Sequence, residues 1–212
     1  MESDNIKIFV ANEEHFNYVE EILATIEESS KDRGTGIAKR SPEYVQKKMS
    51  EGKAIIALDG EKFAGFCYIE TWGNKQYVAN SGLIVNPAYR GHGVAKRIKK
   101  FSFDLSRKRY PEAKLFGLTS GAAVMKINTE LGYAPVTFAD LTNDEEFWKG
   151  CQGCVNFDVL QRTNRRYCIC TAMLYDPNDP HRRKREEVEN EEKKESKRSA
   201  ISEFMNKFKK LK

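Results

Sequence analysis

Ser81–Leu105, SGLIVNPAYRGHGVAKRIKKFSFDL, is the stretch on which the reading of this chain turns. Leu83, Ile84 and Val85 are a short apolar run closed by Asn86-Pro87, which predicts a buried strand with a sharp end. Val94, Ile98, Phe101 and Leu105 recur at helical spacing, so a helix follows. Between the two lies Arg90-Gly91-His92-Gly93-Val94-Ala95. Gly91 and Gly93 can adopt backbone angles closed to other residues and allow a ligand to approach the main chain. The free N–H groups at the start of the helix then form an anion site, suited to a pyrophosphate.

Two other phosphate-binding patterns are absent. The third glycine of the dinucleotide fingerprint is missing, and so is the Gly-Lys-Ser/Thr of the triphosphate loop. The stretch instead resembles the coenzyme A signature of the GNAT acyltransferases, Arg/Gln-x-x-Gly-x-Gly/Ala, carried here by Arg90, Gly93 and Ala95. Val85, Pro87, Tyr89, Arg90 and Gly91 supply the lead-in V-x-P-x-Y-R-G. A second, distant element agrees: Leu131-Gly132-Tyr133 resembles the family's closing L-G-F/Y.

Working outward, Ile6–Ala11 reads as a first strand. Glu13 to about Glu28 reads as a helix, with Phe16, Val19, Ile22, Leu23 and Ile26 along one face. Ser29–Arg40 is loop-like, and Ser41-Pro42 is a helix start with a capping serine and proline at the first helical position. That helix runs to about Ser50. Ala54–Leu58 and Phe63–Thr71 form a hairpin about Asp59-Gly60. Tyr77–Val85 is the next strand, and the long helix after the loop ends near Tyr110-Pro111. Lys114–Leu118 is a strand, and a short helix closes at Gly132.

This order matches the GNAT core over about Ile6–Val136. The expected fold is therefore α/β (α+β), a mixed, mostly antiparallel sheet flanked by helices. GTGIAKRSPEYV, FCYIETWG and FWKGCQGCVNFD are also similar to the N-acetylglutamate synthase-like acetyltransferases of Bacteroidetes arginine-biosynthesis clusters. The expected organisation is an acyltransferase domain over 1–178, with a Cys-containing extension from 137. A charged tail follows over 179–212.

The resemblance implies roles. The backbone of Arg90, Gly91, His92, Gly93, Val94 and Ala95 holds the pyrophosphate, with His92 a spacer. Leu83, Ile84 and Val85 pair their main chain with the pantetheine arm, and the acyl group sits where this strand and Lys114–Leu118 part. Lys96 and Arg97 either reach phosphate or face solvent. Family members place a tyrosine acid five residues before the closing aromatic; here that position is Asn128, which has no proton to give. Asn128 either hydrogen-bonds the thiolate or lies on the helix surface. Glu70 is the candidate base, acting through a water held by Asn80 and Ser81, or else is an exposed carboxylate at a strand end. Arg33, Lys39 and Arg40, in the loop between the first helices, suit an acidic amino-acid acceptor, or are a basic surface.

The implied reaction is acetyl transfer from acetyl-CoA to the α-amine of glutamate, in arginine biosynthesis. Succinyl-CoA stays open as donor. A lysine or polyamine acetyltransferase and a non-catalytic acyl-CoA-binding module are the alternatives.

The remaining features bound this reading. No apolar run approaches the roughly 20 residues of a membrane span. The acidic N-terminus lacks a signal-peptide core, and five cysteines, an odd count, suit a reduced, cytoplasmic setting. The net charge of +5 comes wholly from 180–212, where twelve Lys/Arg face seven Asp/Glu; the rest is balanced, which argues against a nucleic-acid-binding fold. Cys151, Cys154, Cys168 and Cys170 are candidate structural zinc ligands, the second pair sharing one face of a strand, or are small buried residues. Ile201, Phe204, Met205, Phe208 and Leu211 predict an amphipathic helix over 200–212, docked on its own domain, a partner, acidic lipid or a sister subunit in a homodimer.

Overall fold

A computed structural model describes residues 5–33 and 39–180, the side chains of 32 and 33 excepted. Contacts divide the chain into a unit over Met1–Asp176 and a second from Pro177 onward. The first contains everything below. The amphipathic helix expected over 200–212 lies outside the described residues.

The elements are β1 (Ile6–Val10), α1 (Val19–Arg33), α2 (Pro42–Ser50), β2 (Ala54–Asp59), β3 (Lys62–Trp72), β4 (Tyr77–Val85), α3 (Val94–Arg109), β5 (Lys114–Thr119), α4 (Ala122–Glu130), β6 (Ala134–Val136), α5 (Glu145–Lys149), α6 (Phe157–Arg162) and β7 (Thr171–Tyr175). The seven strands form one sheet in the order β1-β2-β3-β4-β5-β7-β6. Only β4 and β5 pair in parallel. This is the GNAT fold, as expected.

Local chemistry explains the boundaries. Ser41 accepts a hydrogen bond from the Tyr44 amide, and Pro42 opens α2. Gly60 takes φ +61° in the β2–β3 turn. The first helix differs from expectation: Glu13–Tyr18 is a 3₁₀ turn, and the α-helix begins only at Val19. Asn12 and His15 cap that turn reciprocally, which fixes a separate start.

Alternation along the strands separates two cores. On one face, Val19, Ile22 and Ile26 of α1 and Val45 and Met49 of α2 cover Ile56, Phe66 and Ile84. On the other, Val94 and Ile98 of α3 cover Ile55, Cys67, Ile69 and Val78. Cys67 is fully buried there. The C-terminal extension makes a third cluster, seating Phe138, Phe147, Trp148 and Leu160 against Phe116.

Two irregularities shape the centre of the sheet. β4 and β5 pair only through Tyr77–Lys114, Val78–Leu115 and Ala79–Phe116. Beyond that point β5 continues along β7 to Thr119 while β4 turns away with β3, so the two strands part. The second is a bulge. Phe66 pairs with Ile84 and Tyr68 with Ser81, leaving one extra residue in β4. Gly82 absorbs it at φ +63°, and a Cβ there would stand 2.3 Å from Tyr68 Cε1.

Candidate active site

A cleft of about 650 Å³ runs through the parting of β4 and β5. Its walls come from α2, β3, β4, α3, β5, α4 and the C-terminal extension.

The loop 90–95 follows β4 and lies outside the residues that line this cleft. Gly91 and Gly93 take φ +82° and +75°, and no atom lies within 4 Å of where a Cβ would stand on either. The main chain is therefore open from outside, and α3 starts at Val94 with no side-chain cap on its first amides. A pyrophosphate fits this cradle, because it supplies the acceptor oxygens those amides lack. The side chains around it are exposed but hold to neighbouring groups of the protein. Arg90 donates to Val85 O and Ser29 Oγ, both at 3.3 Å. His92 Nδ1 lies 2.9 Å from Arg90 O. Lys96 pairs with Glu130 at 2.8 Å, and Arg97 donates to Ile6 O at 2.5 Å. In Leu83 and Val85 the backbone edge turned toward β5 makes no strand pairing.

On the α2 face of the cleft, Glu70 meets Lys48 at 2.7 Å, with side chains 16% and 9% exposed. Glu70 is thus a half-buried, partnered group and not an exposed carboxylate. Burial pushes Glu70 up to about 7, against the pull of Arg40. Burial likewise brings Lys48 down to about 8. The direct contact favours the charged pair and works against both shifts. Arg40 donates to the Tyr68 hydroxyl at 2.8 Å and stacks 5.2 Å from the Tyr44 ring. Lys39 also lines the cleft. Arg33 closes α1, and its side chain lies outside the described residues.

The α3 face differs. Asn80 pairs with Ile69 in the sheet, one residue out of phase with Glu70. Its side chain consequently bonds Ser106 Oγ at 2.8 Å, against α3. This corrects the expectation that Asn80 helps hold a water for Glu70: alternation along β4 sends the two to opposite faces. Ser81 stands across from Tyr68 and also lines the cleft. Asn128 is 1% exposed, so the reading of it as a helix-surface residue is wrong. It packs under β5, its Nδ2 2.9 Å from where a Cβ of Gly117 would be, and its Oδ1 has no partner.

The four late cysteines also reach the cleft. Cys151 and Cys154 occupy the turns after α5, and Cys168 and Cys170 precede β7 in an irregular segment, not on a shared strand face. Burial raises Cys151 to about 11 and Cys170 to about 12, with neighbouring cysteines adding to both. Among the described residues no group of three or more His, Cys, Asp or Glu is arranged to hold a metal ion. The structural zinc expected at Cys151, Cys154, Cys168 and Cys170 is therefore not supported.

Tyr68, Gly82 and Lys99, on the cleft wall, and Lys48, the partner of Glu70, are not legible as site residues in the sequence. One signal was available for Lys99. It begins a spacing of three and four through Ser102 and Ser106, a small polar stripe on the buried side of α3. Lys48 stands three residues after Val45, on the apolar side of α2.

Comparison with known proteins agrees with this picture. Residues 20–121 match the acetyltransferase (GNAT) family. No curated protein matches the chain at a significant level. Among solved structures, N-acetylglutamate synthase from Neisseria gonorrhoeae, in complex with coenzyme A and N-acetyl-glutamate, superposes with a TM-score of 0.59 at 17% identity. That match covers 82% of this chain and 35% of the Neisseria chain, so this chain spans about a third of its length. Rv2747 from Mycobacterium tuberculosis, in complex with CoA, has a TM-score of 0.56 at 16% identity, covering 80% of this chain and 98% of that one. YncA from Salmonella typhimurium, with its cofactor acetyl-CoA, has a TM-score of 0.52 at 14% identity, covering 82% and 95%. No helix among the described residues is long and apolar enough to cross a membrane. The chain thus has the GNAT fold, and residues 20–121 are similar to the acetyltransferase (GNAT) family.

Proposed function

We propose that the protein is an acetyl-CoA-dependent N-acetyltransferase acting on the α-amine of a small acidic amino acid, glutamate first among them. The observation that carries this reading is the parting of β4 from β5 between the open glycine loop and a buried Glu70. The amides of 91–95 hold the diphosphate, and Leu83–Val85 hold the pantetheine arm. Glu70, as carboxylate, takes the proton of the attacking amine, directly or through one water near Ser81. An amide of the β4 bulge, at Gly82–Leu83, donates to the oxygen on which negative charge develops. Arg40 offers a guanidinium to a carboxylate of the acceptor, held in place by Tyr68 and Tyr44. The product bound to the Neisseria structure makes glutamate the first acceptor to try.

A coenzyme A release assay with acetyl-CoA tests this across glutamate, ornithine, spermidine and a lysine peptide. The expected result is the highest kcat/KM with glutamate. Preference for spermidine or the peptide would overturn the acceptor, and binding of acetyl-CoA without turnover of any amine would overturn the catalytic reading.

A further inference from the structure

Acyl transfer ends with a thiolate that needs a proton, and Asn128, at the position where the family resemblance places the acid, cannot supply one. The same wall of the cleft carries a group that can. Lys99, on the second turn of α3, is 2% exposed and lines the cleft with Asn80 and Asn128. Its Nζ stands 5.2 Å over the Tyr133 ring. No carboxylate pairs with it among the described residues. The titratable groups facing it are the Cys67 thiol from β3 and the Tyr133 phenol after α4, with Tyr175 and Arg107 behind that ring. Burial raises both Cys67 and Tyr133, so both are neutral at pH 7.

Lysine is rarely buried without a partner, because an unpaired ammonium in a dry site is costly. Here the cost falls beside the first unpaired residues of the two strands, Asn80 and Gly117. The buried Oδ1 atoms of Asn80 and Asn128, both on the cleft wall, also lack partners, as does the hydroxyl of Tyr133, whose ring Lys99 faces. Two orphaned acceptors on the cleft wall and a buried cation with no carboxylate partner describe a site where charge is made, not a packed core.

We propose that Lys99 is the catalytic acid that protonates the departing thiolate. The proposal rests on the acyl-transfer reading above. As the acceptor nitrogen bonds to the acyl carbon, the carbon–sulfur bond breaks and its electron pair stays on sulfur. One proton passes from Lys99 Nζ to sulfur, leaving a neutral amine, while Glu70 takes one proton from the attacking nitrogen. Lys99 regains its proton from water when the products leave. Burial brings Lys99 down to about 8, near the optimum for an acid working at neutral pH.

The test measures kcat from pH 6 to 9.5 for wild type, Lys99→Met and Lys99→Arg, using any amine that supports turnover. A wrong acceptor then does not count against Lys99. Acetyl-CoA affinity is followed by calorimetry. In wild type, kcat falls above about pH 8 as Lys99 loses its proton. Both variants bind acetyl-CoA within about threefold of wild type, lose about 100-fold in kcat and lack the falling limb. Arginine keeps the charge but does not release a proton. Full activity in Lys99→Arg, or an unchanged profile in Lys99→Met, overturns the proposal. If neither variant folds, a wild-type kcat that does not fall above pH 8 overturns it equally. A protein that binds acetyl-CoA but turns over no amine overturns the acyl-transfer reading itself.

Discussion

The glycine loop and the cleft are built on opposite plans. In the loop the groups proposed to work are main-chain amides, and the nearby side chains Arg90, His92, Lys96 and Arg97 are engaged with the protein itself. In the cleft the groups proposed to meet the acceptor are side chains, Arg40 and Glu70, each held by a neighbour from another element, Glu70 by Lys48. A backbone site tolerates changes of side chain but depends on two glycines. A side-chain site depends on individual residues and can change its acceptor without disturbing the coenzyme grip. The two therefore fail differently when mutated.

The largest effect is expected at the loop. Gly93 has φ +75°, where a β-branched residue is strained, and its side chain would enter the open cradle. Gly93→Val loses at least about 100-fold in acetyl-CoA affinity by calorimetry, about 3 kcal/mol. Circular dichroism separates this from unfolding, and unchanged affinity in a folded variant contradicts the loop assignment.

Next comes Glu70. Glu70→Gln lowers kcat by about 10²–10³-fold and leaves acetyl-CoA affinity unchanged. The base works as carboxylate, so the wild-type rate rises with pH as Glu70 gives up its proton, and the variant shows no such rise. Equal losses of binding and rate would mean that loop and cleft are not separable.

Arg40 is the sharper probe of the difference. Arg40→Met raises KM for glutamate about tenfold or more and leaves KM for acetyl-CoA in place. Parallel movement of both constants would place Arg40 in the coenzyme grip.

The smallest effect is expected at the cysteines, which wall the cleft without a metal arrangement. Replacing Cys151 and Cys154 by serine lowers Tm by no more than about 2–4 °C, the equivalent of about 1 kcal/mol in a domain this size. Elemental analysis of the wild type finds zinc far below one ion per chain, and stoichiometric zinc would contradict this expectation.

These contrasts also explain what could be read from residue order. The loop was legible because its signals are local: an apolar run, Asn86-Pro87, two glycines and a helical stripe follow one another within 25 residues. The parting of β4 and β5 came through the family resemblance, and its geometry depends on pairing choices made by β3 and β7. Gly82 reads as an ordinary strand residue, because a bulge is defined only against a partner strand. Lys48 and Lys99 are not legible as site residues, because a lysine within a helix reads as solvated. The placement of Asn80 failed on phase: whether it shares a face with Glu70 depends on register, and the register puts Asn80 opposite Ile69. The cysteine pair Cys168 and Cys170 was assigned to a strand that in fact begins only at Thr171.

A crystal structure of the chain with acetyl-CoA tests the central claim most directly. The account predicts the diphosphate within hydrogen-bond reach of amides between residues 91 and 95, with the thioester carbonyl in the gap beyond Ala79 and Phe116. Coenzyme bound elsewhere on the domain, or β4 and β5 paired along their whole length around it, would contradict it.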